Sequence, residues 1–348
     1  MLKEEKISGR AFIGSDFDLL DVEITLENGI VTDIEESLNV SERWIVPGFF
    51  NAHTHLADTI AMDMEAPGNL SELVAPPNGL KHRLLREAHP SAIIDGMVSS
   101  ILYMQNSGVF GFCDFREGGI EGVNLLKNAL SKTGSAGVIL GRDGGESYAD
   151  GIGVSSTKEG GDVIQRAIET KKRGQIVAFH AGEKDSRDVD SALDAEPDML
   201  VHCTHATDSQ LKRIADMDVS IVVCPRSNWR LGVSWSSANP PIKKMLDYGC
   251  NVLLGTDNVM FVQPDMFSEM SFASYAYDIA PIDLLKMATK GSSFFNKPFY
   301  IEKGKPASFF TILPSCSNMR FSHSVQKTIT NRMNKGDIER IYFKHIEK

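Results

Sequence analysis

The chain has 348 residues, enough for one barrel-sized domain with an accessory piece or for two ordinary domains. Its composition, 42% hydrophobic and 24% charged, is that of an ordinary globular protein and excludes a disordered, collagen-like or disulfide-rich chain. A formal net charge of −10 argues against nucleic acids and anionic membranes as partners, because both bind basic surfaces.

Neither a membrane-spanning nor a secreted protein is expected. The sequence has no apolar run of the roughly 18 residues that a membrane helix needs. The first residues, Met-Leu-Lys-Glu-Glu-Lys, lack the apolar core of a signal peptide. The 5 cysteines are far apart and form no CxxC pair, which suits a reducing compartment. We therefore predict a cytoplasmic protein whose cysteines are mostly small buried hydrophobic residues.

The N-terminal region is predicted to form β structure. Val22–Glu27 alternates apolar and polar residues, and Ile30–Ile34 is the predicted return strand. Asn28 and Gly29 between them can both adopt positive φ, as a two-residue hairpin turn requires. The sequence therefore predicts a β-hairpin here.

From residue 47 to residue 299, short apolar runs alternate with helical patterns. Near-continuous apolar runs are typical of parallel strands covered on both faces. The clearest predicted helices are Ser91–Asn106, Asp208–Met217 and Pro240–Tyr248. About 250 residues of such alternation is the usual size of a (β/α)8 TIM-like barrel, although a doubly wound open sheet alternates in the same way. The predicted strands are Ile45–Phe50, Val109–Cys113, Ala136–Leu140, Ile152–Val154, Ile176–Phe179, Met199–Val201, Val219–Cys224 and Val252–Leu254.

After Lys297 the helical pattern stops. Phe309–Leu313 and Ile341–Phe343 are predicted strands, joined by a polar stretch that we expect to be irregular. The simplest arrangement pairs them with the N-terminal strands. Residues 1–46 and 300–348 would then form one small β-sandwich domain beside a barrel at residues 47–299.

The first candidate site motif is His53-Thr-His55, close behind the first predicted barrel strand. Residues i and i+2 of a strand point to the same face, so both imidazoles project together. Active sites of (β/α)8 barrels lie at the carboxyl ends of the strands. Two neutral imidazoles there can hold one divalent cation. An isolated HxH motif is weak support, and its position at a strand end strengthens it.

Three further strand ends carry polar residues. His180 ends one apolar run and is followed by Glu183, His202 ends the next, and Asp257 follows Val252–Leu254. A buried imidazole needs a polar partner, and a carboxylate at a strand end can bind a metal and accept a proton from water. Taken alone, each has a structural alternative, such as a core histidine bonded to a carbonyl or an aspartate that caps a helix. Because four strand ends carry such residues, a closed barrel around a metal centre is favoured over an open sheet.

Together these motifs resemble the amidohydrolase superfamily, in particular its branch of cytosine deaminases, S-adenosylhomocysteine deaminases and chlorohydrolases. The order and spacing match along nearly the whole chain, and the joint pattern is far more specific than its parts. The matching segments are Pro47–Leu56, His180–Glu183, His202–His205, Cys224–Leu231, Gly255–Asp257 and Asp265–Met270.

The resemblance implies a set of roles. His53, His55, His180 and Asp257 would bind one catalytic ion, zinc in the first place and iron in the second. Asp257 would also accept a proton from water, Glu183 would transfer protons, and His202 would orient the substrate or the attacking water. Binuclear relatives carry a carboxylated lysine on a middle strand, and no lysine ends a candidate middle strand here. A single metal ion is therefore predicted.

The implied reaction is hydrolytic deamination of a small nitrogen heterocycle such as a nucleobase, a nucleoside or a pterin. Arg116, Arg142 and Asn228 are candidate substrate contacts, with surface salt bridges as the alternative for the arginines. Two alternatives remain, namely hydrolysis of a cyclic amide or a C–Cl bond at the same site, and an inactive barrel that binds a ligand. Asp58–His89 matches no substrate signature, and although many relatives are oligomers, the sequence fixes no number of subunits.

Overall fold

A computed structural model describes residues 4–344 except 66, 67, 69, 75, 160 and 161. The strands form two sheets, a six-stranded one and a nine-stranded one. The strands are β1 (Glu4–Ile13), β2 (Asp18–Glu27), β3 (Ile30–Glu36), β4 (Trp44–Pro47), β5 (Phe49–His55), β6 (Val109–Arg116), β7 (Ala136–Gly141), β8 (Gly151–Val154), β9 (Ile176–Ala181), β10 (Met199–His202), β11 (Ser220–Val223), β12 (Val252–Leu254), β13 (Asp257–Asn258), β14 (Ser308–Ile312) and β15 (Ile338–Phe343).

The helices lie mainly between the strands of the larger sheet, and the three clearest predicted helices are all present within two residues at each end. The α-helices are α1 (Leu70–Val74), α2 (Leu80–Glu87), α3 (Pro90–Asn106), α4 (Gly119–Thr133), α5 (Val163–Lys172), α6 (Val189–Leu193), α7 (Asp208–Asp216), α8 (Pro225–Arg230), α9 (Ile242–Asp247), α10 (Met266–Tyr277), α11 (Pro281–Thr289), α12 (Gly291–Phe294) and α13 (Val325–Arg332).

The larger sheet is parallel and curled. Its order is β12-β11-β10-β9-β8-β7-β6-β5-β13, so β5 to β12 lie side by side in chain order. At one edge β13 pairs with β5, with Asp257 opposite Thr54 and Asn258 opposite His55. At the other edge β12 pairs with β11. The chain segment 252–258 therefore contacts both edges of the sheet, and the fold is TIM-barrel-like.

The smaller sheet combines both terminal regions, in the order β15-β14-β4-β1-β2-β3. The predicted hairpin is confirmed, since Glu27 of β2 pairs with Ile30 of β3. Its turn residues Asn28 and Gly29 have φ of 51° and 77°. Within the described part of the chain, the strands of the two terminal regions form this one sheet, and a second layer stacked on it is not established. The β-sandwich and the domain limits after residues 46 and 299 stay predictions.

The prediction of one strand over Ile45–Phe50 is wrong. The run is split between the two sheets, because β4 pairs with β1 and β14 while β5 pairs with β6. Gly48 lies at the crossing point, where a Cβ atom would be 2.1 Å from Cδ2 of Phe110. The chain therefore passes from one sheet to the other at a residue that must lack a side chain.

The stretch between the two C-terminal strands is not irregular throughout, as it was expected to be. It contains α13, whose N-terminus is capped when the Ser324 hydroxyl accepts a hydrogen bond from the Lys327 N–H. Val325 and Ile329 of this helix are buried in the main core. The helix is polar on its remaining faces, so its two buried apolar residues give little periodic signal.

The main hydrophobic core covers the larger sheet and its helices, and a second core lies against the smaller sheet. As predicted, most cysteines are buried and free: Cys113, Cys203, Cys224 and Cys250 are buried, and Cys316 is exposed. Among the described residues, no helix has the length and apolar character needed to cross a membrane.

Candidate metal centre and active site

The four residues predicted to bind a metal meet at the carboxyl ends of β5, β9 and β13. The Nε2 atom of His53 lies 3.3 Å from Nε2 of His180 and 3.2 Å from Oδ1 of Asp257. The Nε2 atom of His55 lies 3.4 Å from the same carboxylate oxygen. All four side chains are buried. The structure thus brings together residues that are up to 204 positions apart in the sequence.

These three separations are each compatible with two ligands of one metal ion. Nitrogen and oxygen ligands lie about 2.0–2.1 Å from zinc, which places them roughly 3.3 Å from one another around a tetrahedron. Two imidazoles are also held in the tautomer that a metal requires. Nδ1 of His180 donates to the carbonyl of Val154 at 2.9 Å, and Nδ1 of His55 donates to that of Phe115 at 3.1 Å. Their Nε2 lone pairs are therefore free to face the centre.

The protonation of these groups also suits a cation. Burial lowers the pKa values of His53 and His180 and lowers that of His55 to about 3, so the imidazoles are neutral near pH 7. Burial alone would raise the pKa of Asp257, but the hydrogen bond with His53 and the other neighbouring histidines hold it well below its ordinary value. Neutral imidazoles beside an ionised carboxylate are the ligand forms that bind zinc.

The backbone and a neighbouring hydroxyl fix Asp257. Its φ is 62° and that of His202 is 77°, left-handed conformations that are uncommon for non-glycine residues. The hydroxyl of Ser227, in α8, donates to Oδ2 of Asp257 at 2.7 Å. The carboxylate is therefore oriented with Oδ1 toward the histidines.

Glu183 and His202 lie beside this centre. Oε1 of Glu183 is 3.7 Å from Nε2 of His202, and ring nitrogens of His202, His53 and His180 lie within 4.8 Å of one another. Burial raises the pKa of Glu183, and the charge of Asp257 adds to that effect. Glu183 therefore keeps its proton at a higher pH than an exposed glutamate and is suited to donate it.

A cavity of about 400 Å³ opens at these residues, a volume typical of small-molecule sites. Its wall includes His55, Lys81, Arg142, Glu183, His202 and Asp257. A second cavity of about 710 Å³ lies beside it and shares Arg142, Lys158 and Glu159 of the wall.

The three predicted substrate contacts have different positions. Arg142 lies in the wall of the cavity at the metal ligands. Arg116 lines the second cavity instead, where its guanidinium bonds Asp114 at 3.2 Å and also Glu117. Asn228 is buried behind the site and donates from Nδ2 to the hydroxyl of Thr204 at 2.9 Å. Of the three, Arg142 is the one placed to contact a molecule beside the ligands.

Several polar residues near the centre were not predicted. Oε1 of Glu117, directly after β6, is 2.8 Å from Nδ1 of His55 and 2.7 Å from Nζ of Lys81. Asp58 lies 3.2 Å from the same ammonium. The position of Glu117 at a strand end is the same signal that identified His180 and could have found it. Lys81 lies in the unassigned segment 58–89 and carried no such signal.

The chain is similar in sequence to known proteins. The amidohydrolase family matches residues 152–338. A protein of Methanothermobacter thermautotrophicus, provisionally named an aminohydrolase, is 34% identical over 334 residues, covering 83% of this chain and 86% of the relative. A 5-methylthioadenosine/S-adenosylhomocysteine deaminase of Haloquadratum walsbyi is 27% identical over 315 residues, covering 75% of this chain and 68% of the relative.

The fold is also found in solved structures. Atrazine chlorohydrolase from Arthrobacter aurescens TC1, complexed with zinc, superposes with a TM-score of 0.79 at 15% identity, covering 96% of this chain and 94% of that one. This structural similarity supports the fold, whereas the family assignment rests on the sequence matches. The chain belongs to the amidohydrolase family and is a hydrolytic enzyme that acts on carbon–nitrogen bonds.

Proposed function

We propose that the protein is an aminohydrolase that deaminates a small nitrogen heterocycle. One divalent metal ion, zinc as the first choice and iron as the second, would be held by His53, His55, His180 and Asp257. The observation that carries the proposal is that His53 lies 3.3 Å from His180 and 3.2 Å from Asp257, and His55 3.4 Å from Asp257, three ligand-atom separations close to the edge length of a zinc tetrahedron. A zinc ion held there would lower the pKa of a coordinated water toward about 7.

The protein's own residues then move protons. Hydrolytic deamination adds water to a ring carbon that carries an amine and releases ammonia, leaving a carbonyl. Oδ1 of Asp257 faces the histidines and accepts the proton of the attacking water, while Ser227 holds the other oxygen in place. Glu183 donates a proton to the ring nitrogen, and Nε2 of His202, 3.7 Å away, orients the reacting group. General acid–base help of this kind contributes roughly 10²–10⁴-fold.

The cavity supports a small heterocyclic substrate. Its volume of about 400 Å³ holds a ring system with a modest substituent. Donors and acceptors both line it, including the guanidinium of Arg142 and the carboxylate of Glu183, as a heterocycle with ring nitrogens and an exocyclic amine requires. We assign Arg142 the contact with the substrate, and Arg116 and Asn228 lesser roles in shaping the walls.

The complete (β/α)8 barrel belongs to the same proposal. The pairing of Asp257 with Thr54 joins the segment after β12 to the first strand and supports closure. A closed barrel explains how residues of β5, β9 and β13 reach one point, because the carboxyl ends of its strands form a single ring. A cytoplasmic location is likewise kept as part of the proposal.

The test combines metal analysis with a screen for ammonia release. Freshly purified protein is expected to contain about one zinc per chain, and it should release ammonia from at least one purine, pyrimidine or pterin. Asp257→Asn should abolish that release and keep the fold, and Asp216→Asn, which changes an exposed aspartate on α7, serves as the matched control.

Three results would contradict the proposal. Protein without metal would favour a ligand-binding barrel that lacks activity. Chloride release or cyclic amide opening without ammonia release would assign the same site to another bond. Near-normal turnover by Asp257→Asn would remove the assigned metal centre from the reaction.

A further inference from the structure

A buried lysine lies behind the metal ligands. Lys81, on α2, has a side chain that is 3% exposed, and its Nζ faces three oxygen atoms. These are Oε1 of Glu117 at 2.7 Å, Oδ2 of Asp58 at 3.2 Å and Oδ1 of Asn258 at 3.2 Å. Of these three contacts, the one with Asn258 has hydrogen-bond geometry, and the two carboxylates are ion-pair partners of the ammonium.

The burial of this lysine is unusual for a helix such as α2. The buried residues of α2 are Lys81 and His82, both polar, while Arg83, Arg86 and Glu87 are exposed. A short surface helix normally docks through an apolar face. Removing an ammonium from water costs free energy unless charged partners compensate it. A buried lysine therefore does not hold a helix in place in the way that an apolar side chain does.

Each of two partners of Lys81 leads to a different metal ligand. Oε1 of Glu117 is also 2.8 Å from Nδ1 of His55. Asn258 directly follows Asp257, and it pairs with His55 across the β13–β5 ladder. The ammonium is therefore one residue removed from two of the four predicted ligands, which lie on the adjacent strands β5 and β13.

Glu117 lies between Lys81 and His55, with its Oε1 atom 2.7 Å from Nζ of the lysine and 2.8 Å from Nδ1 of the histidine. Nδ1 of His55 donates to the carbonyl of Phe115, and the carboxylate beside it adds an electrostatic contact that helps to orient the ring. Without the lysine, Glu117 would keep its ion pairs with Arg116 and Arg142 but would lose the cation nearest to its Oε1 atom.

We propose that Lys81 is a positioning residue of the metal centre, which holds Glu117 against His55 and Asn258 behind Asp257 when α2 is docked. The segment that matched no substrate signature thus contributes to the metal site. The kinetic part of this inference rests on the proposed function, while its metal-binding part does not.

The test compares Lys81→Met with Arg83→Met, which removes a charge from the exposed side of the same helix. Zinc affinity is measured by competition with a chromophoric chelator. Lys81→Met should bind zinc about 10–100-fold more weakly, the range found when partners of metal ligands are removed. Arg83→Met should stay within about twofold of the wild type. The wild-type isotherm needs no substrate, so a failed ammonia screen would leave this result interpretable.

A chemical rescue separates positioning from mere structural support. Lys81→Ala lacks the part of the side chain that propylammonium resembles, so propylammonium should restore zinc affinity while neutral 1-propanol should not. Where a deaminated substrate is found, kcat should fall in Lys81→Met with KM nearly unchanged, because the ammonium is already bonded to protein oxygens. A lysine with only a structural role would lower the Tm and leave zinc affinity and kcat unchanged.

Wild-type zinc affinity in Lys81→Met would overturn the inference, as would an equal loss in Arg83→Met. If Lys81→Met does not fold, Asn258→Ala gives the second measurement, since it removes one acceptor and no charge. Weaker zinc binding by Asn258→Ala supports the link between the lysine and Asp257, and unchanged binding contradicts it.

Discussion

Ser227 donates its hydroxyl hydrogen to Oδ2 of Asp257 at 2.7 Å, while Oδ1 of the same carboxylate lies 3.2 Å from Nε2 of His53. Oδ2 of the aspartate is thus held by a residue in the first turn of α8, while Oδ1 faces the candidate metal centre. Ser227 and Asp257 are both buried, so the hydrogen bond is shielded from water.

Replacing Ser227 by alanine is expected to weaken zinc binding about 10–100-fold, because the carboxylate loses the partner that orients it. The unsatisfied Oδ2 atom should also cost about 1–3 kcal/mol in the free energy of unfolding of the metal-free protein. Zinc affinity and urea unfolding measure the two effects. Ser99→Ala, in which an exposed serine on α3 is changed, is the control and should alter neither. Wild-type zinc affinity in Ser227→Ala would show that this hydrogen bond does not position the ligand.

Glu183→Gln should separate proton transfer from metal binding. We expect kcat to fall about 10²–10⁴-fold with zinc content unchanged, because Glu183 donates protons and is not among the four ligands. Burial raises the pKa of Glu183 in the folded state, so its contribution to stability is present below its ordinary pKa and is lost as the pH rises through the raised value. At pH 7 the metal-free variant should therefore have a higher Tm than the wild type.

The matched control is Glu169→Gln, which changes an exposed glutamate on α5 and should affect neither kcat nor Tm. Kinetics, metal analysis and thermal unfolding of the metal-free proteins provide the three measurements. Loss of zinc from Glu183→Gln would show that this residue belongs to the metal centre itself.

The candidate metal ligands could be predicted because each ends a short apolar run. In a parallel sheet such ends lie at one edge, so a one-dimensional pattern has a three-dimensional consequence. The structure brings His53, His55, His180 and Asp257 together as expected, while their roles stay predictions. The hairpin at Asn28 and Gly29 was predictable for a similar reason, because its turn chemistry is local.

Other features depend on contacts that no local pattern records. The partner of Lys81 in segment 252–258 is 177 positions away, and a lysine on a short helix gives no local sign that it is buried. The division of Ile45–Phe50 between two sheets is set at Gly48 by the ring of Phe110, which comes from another strand. α13 owes its stability to the burial of Val325 and Ile329 in the main core, and a polar sequence does not reveal such tertiary packing.

On acidification, the metal-free protein should lose stability at a higher pH than protonation of its carboxylates alone would cause. The pKa of His55 is lowered from its ordinary value of 6.5 to about 3, and those of His53 and His180 are lowered as well. A lowered pKa means that the folded state binds fewer protons than the unfolded state. The stabilising contribution is therefore complete above about pH 6.5 and is lost as the pH falls toward 3.

Urea unfolding of metal-free protein between pH 7 and pH 4 measures this loss, which should amount to several kcal/mol. His55→Gln should flatten the pH dependence, because glutamine takes up no proton. His323→Gln changes an exposed histidine and should leave the dependence as it is in the wild type. A profile for His55→Gln as steep as that of the wild type would show that His55 is not neutral and buried in the metal-free protein.

Gly48→Ala tests the crossing between the two sheets. An added Cβ would lie 2.1 Å from Cδ2 and 2.6 Å from Cε2 of Phe110, and both β5 and the ring are held in the buried core. To relieve this clash with the ring, the chain must shift just before β5, the strand that carries His53 and His55. We expect the free energy of unfolding to fall by about 1–3 kcal/mol or more, the range for overpacked cores.

Gly174→Ala is the comparison, because Gly174 has φ of 72° and no atom within 4 Å of an added Cβ. Gly174→Ala should lower the free energy of unfolding by only about 1 kcal/mol, the cost of placing a Cβ atom on a backbone with positive φ. Zinc affinity distinguishes a local from a propagated effect: if β5 shifts, Gly48→Ala should bind zinc more weakly while Gly174→Ala binds it normally. Equal stability losses in the two variants would mean that the ring of Phe110 moves aside and that the crossing does not depend on glycine.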